Sequence, residues 1–322
     1  MALTCRTIGY MHRKRLQILF RCNIIALTFD YNKKYDNYGG IEMAKYGINL
    51  LLWSGSFNND ALPLIQKVAD YGFDGVEIPI FDPDQVDIKA TNNALKKAGI
   101  EVTTCAILGP DRDMISDDSA VRENAKKYIK ECIDINVKLG SNIFCGPLYS
   151  AVGKLVGRSR TDEEWDIAVT GLGEMAKYAG EKGVTLAMEP LNRFETYFIN
   201  IAADMVKLVK EVNHPNLKIH LDTFHMNIEE KSLYKAIKNT GDYLAHVHTC
   251  ENDRGTPGSG NVDWDGVFNA LHEIKYDGWL VIESFVPAIE AIAKAAAIWR
   301  DLEPGGPDSI ARDGLTFIKS RM

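Results

Sequence analysis

The sequence predicts one (β/α)8 barrel running from Met43 to the C-terminus, and three observations predict it. Short β-branched or apolar runs alternate with amphipathic stretches of helical period, and the alternation passes through eight cycles. Together the cycles fill about 280 residues, a length suited to one closed α/β barrel. No G-x-G-x-x-G follows the first strand, as an open doubly wound sheet would normally display.

In chain order the expected strands are Tyr46–Trp53, Gly75–Pro79, Glu101–Ala106, Asn142–Cys145, Thr185–Glu189, Lys218–Asp222, Ala245–Thr249 and Leu280–Ser284. Helices fill the gaps. Leu62–Tyr71 follows the first strand. Ala120–Leu139 carries Ala125, Ile129, Cys132, Ile133 and Val137 at helical spacing. Glu163–Glu181 starts after Thr161 and Asp162, which suit an N-terminus, and stops before Gly183, which suits a C-terminus.

Residues 1–42 stand outside this grammar. They hold seven Lys or Arg against Asp30, Asp36 and Glu42, which leaves 30 basic and 41 acidic residues for the rest of the chain. The run LQILFRCNIIALTF, preceded by His12-Arg13-Lys14-Arg15, has the outline of a signal peptide. Arg21 interrupts it, however, and no small-residue cleavage site follows. The segment is read as an N-terminal extension, poorly ordered or adding a peripheral helix, with 43–322 as the catalytic barrel.

Composition narrows the function. At 46% hydrophobic and 25% charged residues the chain can bury a full core, and its net charge of −7 offers no basic field for a phosphate backbone, which argues against nucleic acid as a partner. The cysteines at 5, 22, 105, 132, 145 and 250 show no C-x-x-C pair and are read as reduced thiols of a cytoplasmic protein. No apolar run reaches the ~18 residues of a membrane span.

Active sites of such barrels lie at the C-terminal ends of the strands. There Thr185-Leu-Ala-Met-Glu189, Lys218-Ile-His-Leu-Asp222 and Leu280-Val-Ile-Glu283 each end in a carboxylate, and Ala245-His-Val-His248 ends in an imidazole. Each acid alone is as readily a salt-bridged strand end. Four such groups in register on the last four strands would repel one another without a cation. A divalent metal on Glu189, Asp222, His248 and Glu283 resolves this. Oxygen-rich ligation with one imidazole suits Mn2+, Mg2+ or Co2+, with Zn2+ also compatible, and Mn2+ is the ion expected. Five of the seven histidines fall between 214 and 248. The two-residue period puts His246 on the face of His248 but one layer lower, as a core or supporting residue. His214 and His272 are read as surface residues, and His220 is left undecided.

The runs EPLNRFETYFIN, HLDTFHMNIEE, HVHTCENDRGTPGSG, IESF and AIWRDL make the sequence resemble the ketose 3-epimerases, the family of D-tagatose 3-epimerase, D-psicose (allulose) 3-epimerase and L-ribulose 3-epimerase, from Met43 to the C-terminus. The spacings of 33, 26 and 35 residues between Glu189, Asp222, His248 and Glu283 match the family pattern. The resemblance implies a xylose isomerase-like TIM barrel, an isomerase that epimerises a free ketose at C3, and a homo-oligomer, dimer or tetramer. It places the metal ligands on those four residues, the paired acid/bases on Glu189 and Glu283, and sugar binding on Glu195, His225 and Arg254. The chemistry agrees: the C2 carbonyl acidifies the C3 proton, a metal stabilises the enediolate, and inversion needs one group on each face of the sugar. Strands five and eight are three apart in the ring, so their ends can flank a small ligand.

The sequence also departs from the family. Asn49 stands where some members have an aromatic residue and Val152 where another has Trp, positions on the apolar side of the sugar site, while Ser284 is closer to the L-ribulose branch. Arg193 is expected to support a carboxylate, and Trp53 and Phe285 to wall the pocket or pack in the core. GTPGSG lacks the Lys-Ser/Thr of a phosphate cradle. The alternatives are an aldose–ketose or hydroxypyruvate-type isomerase on the same barrel, a metal-dependent endonuclease, which would want more histidines and a basic face, and a non-catalytic sugar-binding barrel.

Overall fold

A computed structural model describes residues 44–322; the extension expected at 1–42 lies outside the described residues. The strands are β1 Lys45–Asn49, β2 Gly75–Pro79, β3 Glu101–Cys105, β4 Ile143–Gly146, β5 Thr185–Met188, β6 Leu217–Asp222, β7 Leu244–Thr249 and β8 Trp279–Ile282. They pair in parallel and in sequence order, and β8 returns to β1 to close the barrel. The helices are α1 Leu62–Asp70, α2 Ile88–Ala98, α3 Ser119–Leu139, α4 Asp162–Glu181, α5 Ala202–Val212, α6 Thr223–Glu229, α7 Leu233–Thr240, α8 Trp264–Glu273, α9 Glu290–Ala295 and α10 Gly306–Lys319. Among the described residues no helix is long and apolar enough to cross a membrane.

Local chemistry explains the boundaries. The first strand was expected to reach Trp53 but ends at Asn49, whose side-chain oxygen accepts the Leu51 amide at 2.9 Å and turns Leu50–Leu52 into a 3-10 helix. Leucine triplets look like strand to a pattern of apolarity; one capping side chain overrides them. Thr161 and Glu164 open α4 as a reciprocal capping box. At the end of β4 the backbone of Gly146 has φ 127°, and a Cβ there would lie 2.1 Å from the Ala106 carbonyl oxygen, so only glycine lets β4 close on the chain leaving β3. The main core lies between barrel and helices: buried Ile65, Val68, Ile129, Ile133, Leu172 and Met175 come from helix faces turned inward.

Register sets the height of the site. β6 and β7 pair Asp222 with His248, and Glu189 and Glu283 each follow the last residue of β5 and β8. All four therefore stand at the C-terminal rim.

Candidate active site

Each strand delivers its donor group differently. Asp222 closes β6 and opens α6: one carboxylate oxygen caps the helix by accepting the Phe224 amide at 2.6 Å, leaving Oδ2 for the mouth. His248 is held from below, its Nε2 lying 2.7 Å from Glu77 Oε1 on β2. Its Nδ1 then faces the mouth, 3.2 Å from Glu283 Oε2 and 3.8 Å from Asp222 Oδ2.

One donor atom from each of Glu189, Asp222, His248 and Glu283 lies within 4.8 Å of the others. Bonds of about 2.0–2.3 Å to a shared ion put its ligand atoms no more than about 4.6 Å apart, so small adjustments close a coordination sphere. Glu189 Oε1 and His248 Nδ1 are buried and make no hydrogen bond. The residues thus fit a divalent cation. Burial, joined by the Glu283 charge, pushes the Glu189 carboxyl well above the usual range. In Glu283 burial is outweighed by His248 and Arg254, which hold its carboxyl below that range.

Arg254 leaves the β7 loop in a left-handed backbone, φ 68°, unusual for arginine and a mark of a constrained site. Its Nη1 donates to Asp222 Oδ2 at 2.6 Å and to Glu283 Oε2 at 2.9 Å. The rings of Phe224 and Phe285, at 4.1 and 4.9 Å from Cζ to centroid, sandwich the guanidinium. His225, on the first turn of α6, accepts the Asn192 backbone amide on Nδ1 at 3.1 Å. Its Nε2 lies 3.1 Å from the donor Arg254 Nη2 and 3.6 Å from Glu189 Oε1, and burial together with the Arg254 charge holds the ring well below the usual imidazole range. Asn192 Nδ2 reaches both His225 Nδ1 at 2.9 Å and Glu195 Oε1 at 2.8 Å. Asn192, unremarked at the sequence level except as part of EPLNRFE, therefore aligns two of the three expected sugar contacts.

Glu189, Glu195, His225, Arg254 and Glu283 all line one cavity of about 150 Å3, whose apolar wall includes Leu51, Phe81, Val152 and Phe285. Two expectations need correction. Asn49 is not on that wall: its amide turns into the barrel, donating to Glu77 Oε1 at 3.0 Å and Glu283 Oε1 at 3.3 Å. Trp53 takes its core alternative, packing against the main core with its indole donating to Asp308 at 2.7 Å. Arg193 does support a carboxylate, but that of Glu229 at the surface rather than a ligand. His246 is buried below His248 as expected, and His220 packs edge-on to both, with Nδ1 3.6 Å from Glu189 Oε2. The GTPGSG loop wraps buried Glu251, which accepts Gly258 and Val262 amides at 2.9 and 2.8 Å and the Trp264 indole at 2.9 Å. Cys105, Cys132, Cys145 and Cys250 are buried free thiols.

The residue missed altogether is Glu77. It is fully buried in mid-strand on β2, and that position was its signal: an acid inside a strand covered on both faces needs partners.

Residues 65–320 match the family model described as Xylose isomerase-like TIM barrel. A ketose 3-epimerase of Arthrobacter globiformis is 35% identical over 86% of this chain and 98% of its own. An L-ribulose 3-epimerase of Methylomonas sp. is 34% identical over 86% of this chain and 97% of its own. The solved structure of D-allulose 3-epimerase from Methylomonas sp. in complex with D-allulose superposes with a TM-score of 0.83 at 34% identity, covering 87% of this chain and 98% of that one.

Proposed function

The chain belongs to the xylose isomerase-like TIM barrels and, within them, to the ketose 3-epimerases, and from that premise we propose that it inverts C3 of a free ketose with a divalent metal, Mn2+ before Co2+ or Mg2+, held by Glu189, Asp222, His248 and Glu283. The observation that carries this is the convergence of those four donor sets with two of them, Glu189 and Glu283, on the cavity as well. A bound divalent ion supplies Lewis-acid polarisation of the sugar's C2 and C3 oxygens.

The chain's own residues do the rest. One glutamate takes the C3 proton from one face and the other delivers a proton to the opposite face, exchanging roles in reverse. The surroundings push the proton affinities of the two apart, as a donor–acceptor pair requires. Arg254, with His225 beside it, faces the mouth as a donor where charge gathers on the sugar oxygens as the proton leaves. Glu195, fixed by Asn192, accepts from a sugar hydroxyl. We further assign the protein to the cytoplasm, supported by its buried free thiols, and to a homo-oligomer, supported by family resemblance.

The test is a panel of free ketoses incubated with Mn2+-loaded protein in D2O and followed by NMR. Deuterium at C3 with an epimeric product is the expected outcome. Deuterium confined to C1, with an aldose product, would replace the proposal by the aldose–ketose isomerase.

A further inference from the structure

Beneath the ligand cluster lies a second polar group whose members come from strands across the barrel. Glu77 Oε1 accepts from Asn49 Nδ2 at 3.0 Å and meets His248 Nε2 at 2.7 Å. Its Oε2 accepts from Thr103 Oγ1 at 3.0 Å and from the Cys145 thiol at 3.4 Å, and lies 2.8 Å from His246 Nε2. An ionised carboxylate accepts only, with about four lone-pair sites, and here each is spoken for. Glu77, Cys145, His246 and His248 are spaced closely enough to suggest a cation of their own. His248 Nε2 and the Cys145 thiol, however, are turned toward Glu77 as donors, and burial pushes the Cys145 thiol up, which keeps its proton on sulfur.

We infer that Glu77 is the positioning residue of the metal centre: it fixes the tautomer and tilt of His248 so that Nδ1, and not Nε2, faces Glu189, Asp222 and Glu283. A ring nitrogen 2.7 Å from a buried carboxylate oxygen must carry hydrogen there, and a neutral imidazole that carries hydrogen on Nε2 has its lone pair on Nδ1. β2 lies three places from β7 in the strand order, so this anchor does not depend on the strands that carry the ligands. Asn49, bonded to both Glu77 and Glu283, ties it to the acid/base carboxylate as well. Ligating histidines elsewhere are oriented in this way, and loss of the partner typically weakens metal binding about 10–100-fold.

The inference rests on the proposed ligand set, and the experiment separates the two. Histidine-labelled wild-type protein is titrated with Zn2+, a diamagnetic probe, and followed by 15N NMR. The imidazole that responds is expected to show a bare, shifted Nδ1 and a protonated Nε2. Ligation through Nε2 with hydrogen on Nδ1 would overturn the inference while leaving the ligand set standing. A wild-type protein in which no imidazole responds fails the ligand set and the inference with it. In Glu77→Gln the amide can accept through one atom only, and Mn2+ affinity measured by titration is expected to fall about 10–100-fold. A folded Glu77→Gln protein, by circular dichroism, that binds Mn2+ as tightly as wild type overturns the inference. Should that variant not fold, the wild-type spectrum decides alone.

Discussion

Two layers of the barrel interior, one above the other, are made of the same residue types and balance charge in opposite ways. In the lower layer Glu77 has donors on both oxygens; burial alone would raise its carboxyl, but His248 and His246 outweigh it and hold the group well below the usual range. In the upper layer Glu189, Asp222 and Glu283 share His248 and the guanidinium of Arg254, and Glu189 Oε1 meets no donor at all. The carboxylate of the lower layer is fully partnered as the chain folds. The upper layer leaves one carboxylate oxygen unpartnered and is short of positive charge, a shortage that a cation would correct. Burial and residue type do not separate Glu77 from Glu189; the donors on their oxygens do.

The sharpest way to break this contrast is to neutralise the upper layer one acid at a time. Glu189→Gln and Glu283→Gln are each expected to lower epimerisation by about 10^2–10^4-fold or more, with metal content measured alongside. In variants that keep their metal, exchange of the C3 proton with deuterium should persist for opposite epimers. Interconversion at the parent rate by both would reject the two-glutamate assignment. Next, Asp222→Ala should weaken Mn2+ binding in equilibrium titration, and exhaustive chelation of the parent should abolish turnover. Full activity in metal-free protein would refute it.

Lower-layer disruption should act on stability first. Asn49→Ala removes a donor from Glu77 and from Glu283 and releases the Leu50–Leu52 turn, so a loss of about 1–3 kcal/mol in urea unfolding is expected. Outside the barrel, Glu164 repeats the lower layer's rule. Arg158 is the main cause, aided against burial by the Thr161 amide and Tyr197, and the carboxyl falls from an ordinary 4.5 to about 2. Because the folded value is the lower one, this group's stabilisation is present above pH 4.5 and is lost as pH falls toward 2. The urea midpoints of Arg158→Ala and the parent should therefore differ at pH 7 and converge near pH 2; a difference that does not shrink would show that Glu164 is not its source. The smallest effect is expected from deleting residues 1–42, since every proposed site residue follows Met43. An insoluble or inactive truncation would show the segment to be part of the fold.

The barrel and the convergence of Glu189, Asp222, His248 and Glu283 were legible because a charged or imidazole residue ending an apolar run is conspicuous, and the four recur at the same point of successive cycles. Glu77 and Asn192 were not. Glu77 sits inside a strand rather than at its end, and Asn192 acts through two neighbours rather than on the sugar itself; neither role leaves a mark on periodicity. His225 was expected at the sugar site from the family resemblance, yet that it rides on a helix capped by Asp222 depends on which oxygen the carboxylate turns inward. The misjudged end of β1 has the same origin, since a side chain bonding its own backbone competes with the strand ladder.

Arg254, held in its left-handed turn between two aromatic rings, also sets the electroneutrality of the mouth. With Glu189, Asp222 and Glu283 ionised, its single fixed charge leaves a deficit of two, which a divalent ion cancels and a monovalent one does not. The guanidinium spans Asp222 and Glu283 through Nη1 and meets His225 through Nη2, and Glu195 stands beside it. Such a mouth would select by valence twice over: a doubly charged ion balances it, and its crowd of carboxylates would repel the dianion of a phosphorylated sugar.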